Sequence, residues 1–146
     1  GKITVTLREP SFNTYPICLT GGTQIATPSG YMRVEQLRAG MTVLTSGAPG
    51  QRLAAEVIKV SATPVPESFQ VVRLTLSDGR SVTTSPGHPS ADRRALGNYG
   101  VGDVLDGSIV ITIEKVNYGG ATFDLLPSGP AGTYWANGVL LMSTLK

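Results

Sequence analysis

The sequence predicts an all-β domain, and three observations carry that expectation. Eighteen glycines and ten prolines among 146 residues make a chain that turns often. Only 15% of the residues are charged, so the Ala/Glu/Lys/Leu mixture that favours long helices is missing. The apolar residues fall in short runs rich in Val, Ile and Thr, bounded by Gly, Pro, Asn and Asp. The length is that of one globular domain with an ordinary core.

Taken in order, Ile3, Val5 and Leu7 alternate with Thr4, Thr6 and Arg8, the period of a strand with one buried face. Glu9 to Pro16 is an irregular approach whose prolines cannot donate to a sheet ladder. Thr23 to Thr27 reads as a short strand, with Pro28-Ser29-Gly30 as its turn. Tyr31 to Leu44 then predicts a strand, a short helical turn and another strand. Val57 to Val60 and Val71 to Leu76 are further strands, separated by Ala62 to Glu67, whose two prolines suggest an exposed loop. Ser77-Asp78-Gly79-Arg80 joins Leu76 to Ser81-Val82-Thr83 as a hairpin. Ile109 to Val116 is β-branched and extended, and Asn137-Gly138 sits where a type I′ turn requires positive φ. Leu37-x-x-Gly40-x-x-Val43 is echoed by Tyr99-x-x-Gly102-x-x-Leu105, which hints at two related halves.

Several function classes are excluded. The formal charge is +2 with basic residues scattered along the chain, so no nucleic-acid footprint is present. One Cys and one His cannot form a zinc cluster, a Cys-X-X-Cys pair or an internal disulfide, so no metal is expected. The longest apolar runs, such as Val139 to Met142, are far too short to span a bilayer, and no membrane partner is expected. The compartment stays open, a bacterial secreted or surface precursor being compatible with the sequence.

Cys18, Ser85, His88 and Asp124 are the residues that bear chemistry. Each taken singly has an ordinary structural reading: a buried thiol, a loop hydroxyl, a turn imidazole and a capped acid. Asp124 is the most pointed, because an acid among Thr122, Phe123, Leu125 and Leu126 must face a polar site or suffer desolvation.

In order along the chain these residues resemble the Hedgehog/intein, or Hint, superfamily of self-processing domains. Cys18 to Gly30 followed by Val34 to Thr45 is similar to that family's opening block. Ser81-Val82-Thr83-Thr84-Ser85-Pro86-Gly87-His88 is similar to its second, usually Thr-x-x-His. Thr122-Phe123-Asp124-Leu125 resembles the penultimate block and Tyr134 to Leu141 the final one. Four blocks in sequence are more specific than any one. The resemblance implies a horseshoe of two pseudo-symmetric β subdomains spanning 18–144, with 1–17 as an upstream flank and 145–146 as a tail.

It also implies an acyl shift in which the Cys18 thiol attacks the Ile17 carbonyl and turns the Ile17-Cys18 amide into a thioester. His88 would protonate the departing Cys18 nitrogen, Ser85 would hydrogen-bond the scissile backbone, and Asp124 would accept or relay the thiol proton. Met142 and Ser143 stand where splicing members carry His-Asn, and Thr144 where the downstream nucleophile would sit. Ser143 has no amide to cyclise, so the expectation is N-terminal cleavage or acyl transfer rather than full splicing. The β-branched Ile17 crowds its own carbonyl and predicts slow cleavage. No cofactor is needed, there is no room for an endonuclease between Pro89 and Asp124, and the partners are the chain's own flank with water or an external nucleophile as acceptor. A monomer suffices. Two alternatives stay open: a degenerate Hint fold serving as an interaction module of a larger surface protein, and an intermolecular cysteine hydrolase using Cys18 and His88.

Overall fold

The computed structural model describes residues 17–146; the strand expected over Ile3 to Leu7 lies outside them. Twelve strands follow: β1 Leu19–Thr20, β2 Gln24–Thr27, β3 Gly30–Arg33, β4 Thr42–Ser46, β5 Arg52–Val65, β6 Gln70–Leu76, β7 Ser81–Thr84, β8 Val104–Leu105, β9 Ser108–Asn117, β10 Gly120–Pro127, β11 Thr133–Ala136 and β12 Val139–Met142. They form an eight-stranded sheet, β4-β5-β10-β1-β7-β6-β9-β8, and a four-stranded sheet, β12-β11-β2-β3. The all-β expectation holds.

The order of the larger sheet is a palindrome of roles. On one side the β4-β5 hairpin pairs with β10, which reaches β1; on the other the β8-β9 hairpin pairs with β6, which reaches β7. The two halves are interlaced, because β6 follows β5 in the chain yet lies in the second half, and β10 follows β9 yet lies in the first. The short sequence echo marks this duplication. Single 3-10 turns occur at Val34–Gln36 and Leu96–Asn98, closed by Leu37 N–H on the Val34 carbonyl and Tyr99 N–H on the Leu96 carbonyl, both at 3.2 Å. Gly40 and Gly102 then adopt φ of 94° and 98° and donate to Val57 and Val110, each at 2.8 Å. A side chain at either would be strained in that backbone region.

The expected loop over Ala62 to Glu67 is corrected: β5 runs on through Val65, pairing Pro64 with Ala121 and Val65 with Gly120 of β10. Proline survives there because β4 pairs only with residues 52–56 of β5, so Pro64 has a strand on one side only. The Val57 to Val60 run is thus the middle of one long strand. The Asn137-Gly138 turn forms as expected, with φ of 50° and 83°.

Leu19, Ile25, Leu74, Leu76, Leu125, Tyr134 and Leu141 are wholly buried between the sheets. Each aliphatic side chain so buried contributes about 1.5–3 kcal/mol. Val65, Phe69 and Val71 make a smaller separate cluster under the β5 to β6 connection. No helix of the described residues is long and apolar enough to cross a membrane.

Candidate active site

The site is a product of sheet register. β1 is central, and its Leu19 stands opposite Phe123 of β10 on one side and Thr84 of β7 on the other. One residue back along antiparallel ladders, Cys18 falls opposite Asp124 and Ser85. Opposed residues share a sheet face, so the thiol, the carboxylate and the hydroxyl are gathered by pairing alone. Asp124 is in turn paired with Ser61 of β5. Cys18, Ser85 and Asp124 are 3%, 3% and 1% exposed, whereas Ile17, just outside, is 44% exposed.

Ser85 clamps the backbone of Cys18 from both directions. The Cys18 N–H donates to Ser85 Oγ at 2.8 Å, and the Ser85 N–H donates to the Cys18 carbonyl at 2.9 Å. Ser85 to Pro89 then turns tightly, with His88 N–H on the Ser85 carbonyl at 3.1 Å and Leu96 N–H on the His88 carbonyl at 2.9 Å. This drives the imidazole inward until it is completely buried.

Asp124 is the hub. Its Oδ1 accepts from Tyr134 Oη at 2.7 Å and from Leu125 N–H at 2.8 Å. Its Oδ2 accepts from Thr144 N–H at 2.9 Å and Thr144 Oγ1 at 2.6 Å. Four donors on one buried carboxylate satisfy it in the ionised, acceptor-only form. Tyr134 Oη also lies 3.0 Å from His88 Nε2, while His88 Nδ1 is buried with no hydrogen-bond partner. Thr144 Oγ1 reaches the Ile17 carbonyl oxygen at 3.1 Å.

The electrostatics follow from burial around one negative charge. The Cys18 thiol is pushed up to about 11, first by desolvation and then by the Asp124 charge, with the Thr122 and Ser61 hydroxyls acting in the opposite direction. Burial lowers the His88 imidazole below its ordinary value, opposed by the Asp124 charge and by the Ile17 and Met142 backbones beside the ring. Tyr134 is raised well above the usual phenol value, again by burial first and Asp124 second.

Of the residues singled out in the sequence, Cys18, Ser85, His88, Asp124 and Thr144 converge. In the C-terminal block the Met142 backbone lies beside the His88 ring, while Ser143 has its N–H on the Gly132 carbonyl at 2.8 Å and its Oγ accepting from Leu145 N–H at 3.1 Å. Two features went unread. Tyr134 entered the sequence analysis only as the first residue of the final block, although a phenol among apolar neighbours must find a partner. Asn137 looked like a turn residue alone, yet its Oδ1 accepts from Gln24 N–H at 2.8 Å and its Nδ2 donates to the Ser81 carbonyl at 3.0 Å, tying the small sheet to β7. Among the described residues no three His, Cys, Asp or Glu gather to hold a metal ion.

The interlaced two-sheet architecture is the one found in inteins and intein-like domains. The solution structure of the bacterial intein-like domain from Clostridium thermocellum matches with a TM-score of 0.71 at 19% identity, over 89% of this chain and 100% of that one. A DnaB intein from Synechocystis sp. matches at 0.74 and 17% identity, over 88% and 99%. The gp41-1 intein matches at 0.70 and 22% identity, again over 88% and 99%. The Hint domain family model matches residues 17–89, half of the sequence, and the chain belongs to that family. It is thereby an intein-like domain of the autoprocessing class. No curated protein sequence matches it.

Proposed function

We propose that this domain processes its own chain by an N–S acyl shift at the Ile17-Cys18 bond, followed by hydrolysis or transfer of the acyl group to an external nucleophile. In this reading residues 1–17 are the flank that is released, 18–144 the processing domain and 145–146 a tail. The observation that carries it is the clamp on the scissile bond. Its nitrogen donates to Ser85 Oγ at 2.8 Å, the Thr144 hydroxyl stands 3.1 Å from its carbonyl oxygen with its proton on Asp124 Oδ2 at 2.6 Å, and Cys18 lies opposite Asp124 in the sheet. Attack of sulfur on the Ile17 carbon forms the C–S bond; collapse breaks C–N and leaves Cys18 with a free amine. The thiol proton ends on that nitrogen, so the step needs no outside acid. His88 carries the proton from sulfur to nitrogen, the Asp124 charge favours the imidazolium that holds it in between, and Ser85 and Thr144 flank the bond. General acid-base catalysis of this kind contributes about 10²–10⁴ in rate.

Splicing is not part of the proposal, because Ser143 has no side-chain amide to cyclise and its Oγ is engaged by Leu145 N–H at 3.1 Å. One observation favours the second reading, a dormant interaction module: with the thiol near 11, the thiolate at neutral pH is on the order of one molecule in 10⁴. Hydroxylamine or excess thiol separates the two. The wild-type chain should release a fragment ending at Ile17 and Cys18→Ala should not. Equal inertness of both over days at several pH values would leave only the module.

A further inference from the structure

We infer that Tyr134 is a positioning residue of this reaction, its hydroxyl linking Asp124 to His88 so that the imidazole keeps its proton on Nε2 and offers Nδ1 as the nitrogen that carries the proton from sulfur to amine. The inference rests on the acyl-shift reading above, and proton accounting supplies it. Tyr134 Oη has one proton and two neighbours, Asp124 Oδ1 at 2.7 Å and His88 Nε2 at 3.0 Å. The Asp124 carboxylate, acceptor-only, takes the phenol proton. The phenol oxygen can then only accept from the ring, which places hydrogen on Nε2 and a lone pair on Nδ1. His88 Nδ1 is the buried ring nitrogen that makes no hydrogen bond of ordinary geometry, and the Ile17 and Met142 backbones beside the ring favour its protonated form. A buried, unpaired acceptor is costly to keep, which is reasonable where it has a proton to receive.

The step balances. The S–H bond breaks as Nδ1–H and C–S form; Nδ1–H then breaks as the proton joins the Cys18 nitrogen and C–N breaks. In between, the imidazolium is paired through the phenol with Asp124, the same logic as a carboxylate orienting a catalytic imidazole, with a hydroxyl inserted between them. Burial disfavours the imidazolium, so this paired charge is what makes the carrier state reachable. Asp124, through Tyr134, is the charged group that acts on His88, alongside the Ile17 and Met142 backbones.

Tyr134→Phe keeps the ring and removes only the hydroxyl. Two measurements on the full chain test it. The first is ¹⁵N NMR of the His88 ring in Cys18→Ala, which cannot process: a proton on Nε2 is expected, giving way to a mixture of tautomers when Tyr134→Phe is added. The second is hydroxylamine-induced cleavage in the Cys18 background. Tyr134→Phe should slow it about 10²- to 10⁴-fold and move the His88 limb of the pH profile to lower pH, a displacement that a merely structural phenol would not cause. A proton found on Nδ1 in the otherwise wild-type ring overturns the inference even if the phenylalanine variant does not fold. Unchanged tautomer, rate and pH limb in Tyr134→Phe also overturns it. Absence of cleavage in the wild-type chain, with the Nε2 tautomer and its dependence on Tyr134 intact, would instead refute the acyl-shift reading on which the catalytic part stands.

Discussion

Replacing Asp124 by Asn should make the protein less stable, its thiol more acidic and its processing slower, three shifts with one origin. The carboxylate receives hydrogen bonds from Tyr134, Leu125 and, twice, Thr144. Asparagine keeps one oxygen for Tyr134 and Leu125 but puts an NH₂ against the Thr144 N–H. The hydroxyl can turn and accept; the backbone N–H cannot. One unsatisfied, half-buried donor costs about 1 kcal/mol, the low end for such a group, and two weakened charge-assisted bonds add about 1 each, partly offset because no charge is buried, for a net loss of about 2–3 kcal/mol. The thiol moves the other way: the Asp124 charge is the second cause of its rise to about 11, so with that charge gone the value should fall below 11, held up by burial alone. Urea denaturation reads the stability, thiolate absorbance against pH the thiol, and hydroxylamine cleavage the chemistry. A thiol that stays at or above 11 in Asp124→Asn would refute the placement of an ionised carboxylate beside the sulfur.

Ser85→Ala removes the acceptor of the buried Cys18 N–H and should cost about 1–3 kcal/mol in urea denaturation; it should also slow cleavage, and an unchanged rate would remove Ser85 from the reaction. Thr144→Val deletes the hydroxyl whose proton rests on Asp124 at 2.6 Å and can turn to the Ile17 oxygen, 3.1 Å away, as charge develops there; thioester formation should drop about tenfold or more, with Thr144→Ser restoring it. His88 is held below its ordinary value of 6.5. The unfolded chain therefore binds a proton that the folded chain refuses, so stability should decline as pH falls below about 6.5 through the folded value. Denaturation midpoints should show that slope, and His88→Gln should flatten it. The thiol acts at the other end: an acid whose folded value is near 11 against an ordinary 9.0 loses stability as pH rises through that interval, and Cys18→Ala should abolish the decline.

The strands that the sequence showed well are those whose signals are local. The Asn137-Gly138 turn is written in its dipeptide, and the β6-β7 hairpin in Asp78-Gly79. β5 was misjudged at its far end because Pro64 and Pro66 read as a loop, and nothing nearby in sequence shows that the strand there has a neighbour on one side only. The site divides in the same way. Cys18, Ser85, His88 and Asp124 were legible as spaced blocks, but their convergence depends on Leu19 pairing with both Phe123 and Thr84, a fact of register. Tyr134 was invisible as a functional group because its two partners lie 46 and 10 residues away in the chain.

The interlacing of the halves has a bearing on when the chain can act. β10 brings Asp124 to the flank of β1, and the groups that complete the site, Tyr134 and Thr144, come later still. Any chemistry at Cys18 that depends on them must wait until Thr144 has left the ribosome. At about 5–20 residues per second, the nucleophile spends several seconds translated but without its machinery. Under the proposed acyl shift the fold is a timer: a polypeptide cut short before β11 is expected to keep its Ile17-Cys18 bond.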